Sequence, residues 1–167
     1  PHPPGYPLWT ICGWLIANLL PFGNVAWRVN LESALFGALA NGVLAGTCSY
    51  MGRWLFGELR PLKPDVLKRI SFYSGITAGL TLGFSDVMWS QAVIAEVYTL
   101  NAFFLVLILL CFSRWMMSPE YNGWLVASVF WYAVGLTNHH TLLLIIPAFL
   151  AGCLLGNWRS FPSLLCG

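Results

Sequence analysis

Residues Ser90–Phe112, SQAVIAEVYTLNAFFLVLILLCF, decide what class of protein this chain belongs to. A largely apolar run extends from Thr99 to Phe112, and it is preceded by Glu96, the only charged residue between Asp86 and Arg114. A long apolar run is typical of a membrane helix, where an ionisable side chain costs free energy on insertion. We therefore expect Glu96 to lie near the outer end of a span and to have a functional role.

The composition of the whole chain agrees with this interpretation. Of its 167 residues, 58% are hydrophobic and only 8% are charged, whereas soluble domains carry about 25% charged residues. The chain is predicted to be an all-α polytopic membrane protein, and its nine Trp residues suit two membrane interfaces. The net charge of +2 is too small to suggest a nucleic-acid partner. The scattered cysteines, without a C-x-x-C motif, predict neither a disulfide framework nor a metal site.

The apolar segments predict about five membrane spans and one shorter helix. The run over residues 8–20 is too short to cross a bilayer of about 30 Å at about 1.5 Å per residue, so we expect an interfacial helix within an outer-face loop over residues 1–24. The first residues carry no basic n-region, so we expect them not to be a signal peptide, and we expect the chain to be a fragment of a longer membrane protein. The predicted spans are 25–52, 70–85, 99–114, 123–137 and 141–157.

The basic residues predict the orientation of these spans. Most of them lie in the loop over residues 53–69, which should therefore be cytoplasmic. Threading the spans from this loop places Arg28, Asp86, Glu96 and the Asn138–His140 segment at the opposite, outer face. The polar residues that are unusual for a membrane protein thus converge on one side of the bilayer.

Several of these outer-face residues can be interpreted in two ways. Asp86 is either a helix N-cap or a site residue. Arg28 either pairs with Glu32, four residues further along the same helix, or binds an anionic headgroup. His139 and His140 point about 100° apart on a helix, so they cannot easily share one metal. They suit a loop in which one imidazole holds a phosphate oxygen or transfers a proton.

Glycines spaced four residues apart predict helix contacts. Small residues at this spacing lie on one face and allow close approach of a neighbouring helix in lipid. The strongest pattern is Gly75, Gly79 and Gly83, and two single pairs occur at Gly42/Gly46 and Gly152/Gly156.

Five segments of the chain together resemble one known family. These are HPPGYPL (2–8), LPFGNVAWRVNL (20–31), SALFGAL (33–39), WSQAVIAEVYTLN (89–101) and GLTNHHT (135–141). The chain resembles the transmembrane protein 260-like family, first catalogued as a domain of unknown function and grouped with the GT-C type of lipid-linked sugar transferases, which includes a protein O-mannosyltransferase. The resemblance implies a GT-C-like transmembrane helix bundle.

The resemblance also implies a reaction and a set of roles. A sugar would pass from a polyprenyl- or dolichyl-phosphate donor to a protein or glycan acceptor, on the outer face of a bacterial inner membrane or the lumenal face of the endoplasmic reticulum. Glu96, His139 and His140 would be catalytic, near the acceptor and the donor phosphate. The family's first-loop acid would precede His2, so this chain alone is expected to be inactive. His2, Tyr6, Arg28, Asp86 and Asn138 would bind substrate.

The residues alone leave two other classes of function open. A proton-coupled transporter would use Glu96 and the two histidines as a relay. The absence of internal repeats and the position of these residues at one membrane face argue against a transporter. The HPPGYP and NHH segments argue against a non-catalytic scaffold. No cofactor other than a lipid-linked sugar donor is predicted, and a divalent metal is left open.

Overall fold

In the computed structural model, residues 5–59 and 62–158 are described, and every regular element within these ranges is helical. No β-strand occurs in them, which confirms the all-α prediction. The elements in chain order are α1 (Pro7–Leu19), α2 (Val25–Leu59), α3 (Pro64–Gly83), α4 (Asp86–Ala92), α5 (Tyr98–Met117), α6 (Gly123–Leu136), a 3₁₀ helix (His140–Ile145) and α7 (Ile146–Trp158).

Local sequence explains where the first long helices begin. Between α1 and α2 the chain turns at Gly23, whose φ of 74° is one that residues with a Cβ rarely adopt. The Asn24 side chain then accepts a hydrogen bond of 2.8 Å from the backbone N–H of Trp27, which caps the start of α2. At the start of α3, Pro64 occupies a position where its missing N–H has no cost.

The bundle is arranged around α2, which packs against α1, α3 and α5. At one end of α2, the Ser33 hydroxyl lies 3.2 Å from the backbone N and O of Glu96, just before α5. At the other end, the guanidinium of Arg114 lies 4.2 Å from the ring centroid of Tyr50. The helices α2 and α5 therefore run side by side in the same direction.

The triple glycine predicted a close helix contact without a named partner, and in the structure it lies in the antiparallel contact between α2 and α3. A Cβ built on Gly79 would lie 3.0 Å from the Asn41 carbonyl oxygen and 3.0 Å from the Ala45 Cβ. One turn earlier in α3, a Cβ on Gly75 would overlap the Ala45 carbonyl oxygen and the Ser49 side chain. The glycines thus allow the two backbones to touch.

The single glycine pairs behave differently. No atom lies within 4 Å of a Cβ built on Gly42 or Gly46, so this pair contacts no other helix within the described ranges. By contrast, Gly152 in α7 faces the Phe112 ring of α5. Gly156 lies where side-chain surroundings are not described.

The apolar core lies along α5. Its buried residues are Leu100, Phe104, Ile108 and Leu142, and α1, α2 and α6 pack partly buried aromatic residues against them. A second cluster joins Ala40, Met88 and Val106 between α2, α4 and α5.

Within the part of the chain that the structure describes, two helices are long and apolar enough to cross a membrane, and they are the parallel pair. The candidate spans are Val25–Gly57 in α2 and Tyr98–Met117 in α5. In α3, the first turns carry Asp65, Lys68 and Arg69, which lower its apolar character. The helices α6 and α7 have 14 and 13 residues, or about 20 Å each at about 1.5 Å per residue. The arrangement of five spans stays a prediction.

We predict that Gly75→Ala weakens the α2–α3 contact, whereas Gly46→Ala does not. The new methyl group at position 75 meets a backbone carbonyl that cannot move aside, and overpacking of this kind costs about 1–3 kcal/mol. At position 46 the methyl group meets open space, and the higher helix propensity of alanine favours the variant by up to about 1 kcal/mol. Thermal unfolding of both purified variants in detergent measures the difference. Equal stability of the two would contradict the proposed packing role of Gly75.

Candidate functional site

His139 lies at the centre of a polar cluster between α6 and the 3₁₀ helix. Its Nδ1 accepts a hydrogen bond of 3.2 Å from the backbone N–H of Thr141. The Thr141 hydroxyl lies 2.8 Å from the same Nδ1 and itself accepts a bond of 3.2 Å from the Asn101 amide. A backbone N–H can only donate, so Nδ1 is an acceptor and the proton of the neutral ring is on Nε2.

Three aromatic rings surround this histidine. The Tyr6 ring stacks on His139 with a centroid separation of 5.5 Å and an interplanar angle of 10°. His140 stacks at 4.7 Å and 15°, and Tyr98 lies at 5.5 Å in a tilted arrangement. These rings bring together the start of α1, the start of α5 and the histidine pair. Only 6% of the His139 surface remains exposed.

The surroundings also set the charge of the ring. Burial, followed by the charge of His140, lowers the pKa of His139 below its ordinary value of about 6.5. The imidazole is therefore neutral near pH 7, and its Nε2–H is a hydrogen-bond donor.

Asn138 connects the histidine pair to the segment before α5. It is 1% exposed, and its side-chain amide donates a hydrogen bond of 3.3 Å to the Val97 carbonyl. Its Oδ1 has no partner among the described residues. Asn138 thus holds the turn in place and leaves one buried acceptor for a further donor.

Glu96 is held at the same end of the bundle by its backbone. It lies in the break between α4 and α5, where Ser33 bonds both its N–H and its carbonyl. The next residue, Val97, accepts the bond from Asn138. The Glu96 carboxylate is half-buried and has no hydrogen-bond partner in the described part of the chain. The residue next to Glu96 thus contacts the Asn138–His140 segment through its backbone, whereas no described contact joins the Glu96 carboxylate to that segment.

Arg28 does not form the ion pair with Glu32 that its spacing suggested, and its binding of a headgroup stays a prediction. Its guanidinium donates to the backbone carbonyls of Ala17 at 2.7 Å, Phe22 at 2.9 Å and Gly23 at 2.9 Å. It thereby closes the C-terminal end of α1 and the turn that follows, and it does not pair with Glu32. A headgroup would have to compete with these three carbonyls.

Asp86 is not the N-cap of α4, because the preceding residue performs that role. The Ser85 hydroxyl accepts a hydrogen bond of 3.3 Å from the backbone N–H of Met88. Asp86 is exposed in the first turn, where a negative charge is favoured by the helix dipole. No described contact joins Asp86 to the His139 cluster. The remaining predicted binding residue, His2, lies outside the described residues.

Glu32 is the residue whose importance the sequence did not reveal. It is completely buried, and neither carboxyl oxygen has a hydrogen-bond partner among the described residues. The carboxyl group faces α1, where a Cβ on Gly13 would lie 2.8 Å from Oε2. The spacing of Glu32 from Arg28 suggested a simple ion pair. The feature that could have identified Glu32 was a charged residue within an apolar helix.

The histidine cluster contains no preformed metal site. Within the described ranges, no group of three or more His, Cys, Asp or Glu side chains is arranged to hold a metal ion. Among the described residues, the Nε2 of His139, the Oδ1 of Asn138 and the carboxylate of Glu96 have no hydrogen-bond partner.

Comparisons with known proteins identify the family. The model of the "Protein O-mannosyl-transferase TMEM260 N-terminal domain" matches residues 1–161, so the chain belongs to this family. This result confirms the resemblance to the transmembrane protein 260-like family, whereas the wider grouping with GT-C transferases stays a prediction. No solved structure matches the chain significantly.

Two curated relatives agree with this assignment. "Protein O-mannosyl-transferase TMEM260" of Mus musculus is 33% identical over 148 residues, which cover 87% of this chain and 19% of the relative. "Protein O-mannosyl-transferase tmem260" of Dictyostelium discoideum is 28% identical over 163 residues, with coverage of 89% and 18%. The chain thus spans about a fifth of the length of each relative. The names of the relatives support a glycosyltransferase type of function.

We predict that Glu32→Met stabilises the protein. A buried polar group without a partner costs about 1–3 kcal/mol, and methionine has a similar volume without that cost. Thermal unfolding in detergent measures the change. Glu120→Met is the control, because Glu120 is exposed in a turn and surface changes stay within about 0.5 kcal/mol. A loss of about 3–5 kcal/mol for Glu32→Met would show instead that the carboxylate is paired.

Proposed function

We propose that this chain contributes the N-terminal domain of a membrane glycosyltransferase that transfers mannose to a protein Ser or Thr hydroxyl. The donor is a polyprenyl- or dolichyl-phosphate mannose, and the reaction takes place at the outer or lumenal face of the membrane. The two candidate spans and the names of the relatives support the class of enzyme. Those names also favour a transferase over the proton-coupled transporter.

The single observation that carries the proposal is the neutral, donor-oriented His139. A lipid-linked sugar leaves behind a phosphate, which gains negative charge on its bridging oxygen in the transition state. The Nε2–H of His139 is suited to donate a hydrogen bond to that oxygen, because Nδ1 is fixed as the acceptor of the Thr141 N–H. Donors aimed at developing charge are among the largest contributions to catalysis.

Glu96 has the complementary role in this proposal. Its carboxylate is fixed through its backbone, it is half-buried, and no described side chain neutralises it. A negative charge in this position stabilises the positive charge that develops on the sugar ring as its bond to phosphate breaks. It also orients the acceptor hydroxyl by accepting its hydrogen bond.

The proposed reaction is a substitution at the anomeric carbon and requires no oxidant or reductant. The bond between the anomeric carbon and the phosphate oxygen breaks, and the electron pair leaves with the lipid phosphate. The acceptor hydroxyl oxygen bonds to the anomeric carbon and gives up its proton to a general base of the full-length enzyme. The described residues therefore serve the donor and the charge of the transition state.

Glu96→Gln is expected to reduce transfer by about a hundredfold to a thousandfold, the usual effect of removing one preorganised group. Glutamine keeps the size of the side chain and its ability to form hydrogen bonds, and it leaves the backbone contact with Ser33 intact. The assay is mannosyl transfer from the lipid-linked donor by the full-length protein. Glu120→Gln is the matched control. Near-normal activity of the Glu96 variant at normal expression would contradict the proposal.

The pH dependence of transfer tests His139. Since its pKa is lowered, the ring is protonated only below the ordinary value of about 6.5, and protonation at Nδ1 breaks the bond from Thr141. Activity should fall as the pH decreases through the pKa of the folded state. Stability contributed by the neutral ring is present above pH about 6.5 and is lost over the same acidic range.

Two variants separate the histidines in a profile of kcat/KM against pH. His140→Gln removes a charge that lowers the pKa of its neighbour, so the acid limb should move to higher pH. His139→Gln should abolish this limb. An unchanged acid limb in the His139 variant would assign the titration to another group.

A further inference from the structure

A second polar site lies at the other end of α2. A cavity of about 420 Å³ opens between α2 and α3, lined by Ser49 and Arg53 on one side and by residues 68, 69 and 71–73 on the other. Along α2, Arg53 lies 20 residues beyond Ser33, which is about 30 Å at about 1.5 Å per residue. The cavity is therefore separated from the His139 cluster by about the thickness of a bilayer core.

The cavity carries a concentrated positive charge. Arg53, Lys68 and Arg69 all line it, and none of its described lining residues is a carboxylate. Asp65 is one turn away in α3, but no ion pair joins it to these cations within the described ranges. Three cations that line one cavity repel one another, so an anion bound among them would relieve that repulsion.

A buried hydroxyl without a partner also lines this cavity. Ser71 is 1% exposed, and its Oγ forms no hydrogen bond with a described residue. The nearby Ser74 hydroxyl, by contrast, is engaged in a bond of 2.9 Å to the Ser71 carbonyl. Leaving a buried hydroxyl unpaired costs free energy, and a hydrogen bond from this hydroxyl to a ligand oxygen in the cavity would remove that cost.

The remaining lining indicates what accompanies the anion. Phe72 and Tyr73 line the cavity and remain 60% and 63% exposed. Aromatic side chains at a membrane interface pack against the region where headgroup and acyl chain meet. The combination of three cations, a free hydroxyl and exposed aromatic rings suits a phosphate that carries an apolar tail.

We propose that this cavity binds the phosphate of an anionic lipid. Arg53, Lys68 and Arg69 hold the phosphate oxygens, and Ser71 donates a hydrogen bond to one of them. The aromatic pair at positions 72 and 73 contacts the start of the acyl chains. This site is independent of the proposed sugar transfer, because it lies at the opposite end of α2.

Lipid retention tests the site. The full-length protein is reconstituted in phosphatidylcholine nanodiscs containing phosphatidic acid, and bound lipid is measured by native mass spectrometry after transfer to detergent. A basic residue near an anionic surface contributes roughly a fivefold change in binding. The triple variant Arg53→Gln/Lys68→Gln/Arg69→Gln should thus lose retention by about a hundredfold.

Single variants guard against misfolding and non-specific attraction. Lys68→Gln should lose several-fold, whereas Lys63→Gln, a lysine of the same charged loop outside the cavity, should lose little. Ser71→Ala should lower retention without lowering thermal stability. Equal losses for Lys63→Gln and Lys68→Gln would overturn the proposal in favour of general attraction. Lipid retention by the triple variant equal to that of the wild type would also overturn the proposal.

A competition arm distinguishes lipid phosphate from free phosphate. Millimolar inorganic phosphate is added to the lipid-loaded protein, and the retained lipid is measured again. Persistence of the lipid supports the lipid assignment. Complete displacement of the lipid, together with equal binding of phosphate by lipid-free protein, would overturn the proposal. The cavity would then be assigned to free phosphate.

Discussion

The Ser33 hydroxyl joins α2 to the segment that precedes α5, and the arrangement of the site depends on this contact. It satisfies both backbone groups of Glu96 in a stretch where the helical hydrogen-bond pattern is interrupted. In an apolar environment, unpaired backbone groups are costly, so the break between α4 and α5 is tolerated only because a side chain from another helix completes it. The same contact sets the parallel register of α2 and α5, which the stacking of Arg114 on Tyr50 maintains at the far end.

Buried polar groups near this contact lower the stability of the fold. Glu32 and Asn138 are fully buried, and each keeps at least one oxygen without a described partner. The apolar core along α5 and the close contact between α2 and α3 supply the packing that allows such a cost. Natural proteins accept local costs of this kind at functional sites, where the polar groups are needed for a ligand.

Much of the architecture follows from the sequence, but the pairing of polar groups does not. The all-α class came from composition, and the spacing of Gly75, Gly79 and Gly83 predicted a close helix contact but not that α2 is the partner. The Gly42/Gly46 pair has the same spacing but contacts no other described helix, because spacing alone does not say which helix face is covered.

Arg28 and Glu32 illustrate the limit on predictions from charge patterns. Their separation fits an ion pair, yet three carbonyls at the end of α1 attract the guanidinium more effectively. Such carbonyls are invisible in a sequence.

The bond from the Thr141 backbone to His139 has a consequence for the kind of chemistry the ring can perform. A histidine usually exchanges the roles of its two nitrogens, and this freedom makes it a reversible carrier of protons. Here the main chain fixes the polarity of one nitrogen, so the ring presents the other as a permanent donor. While the ring is neutral, the imidazole therefore acts as a hydrogen-bond donor of fixed direction, much like a carboxamide N–H. Acid ends this arrangement by protonating Nδ1, so the architecture uses histidine as an oriented donor and not as a shuttle that exchanges protons.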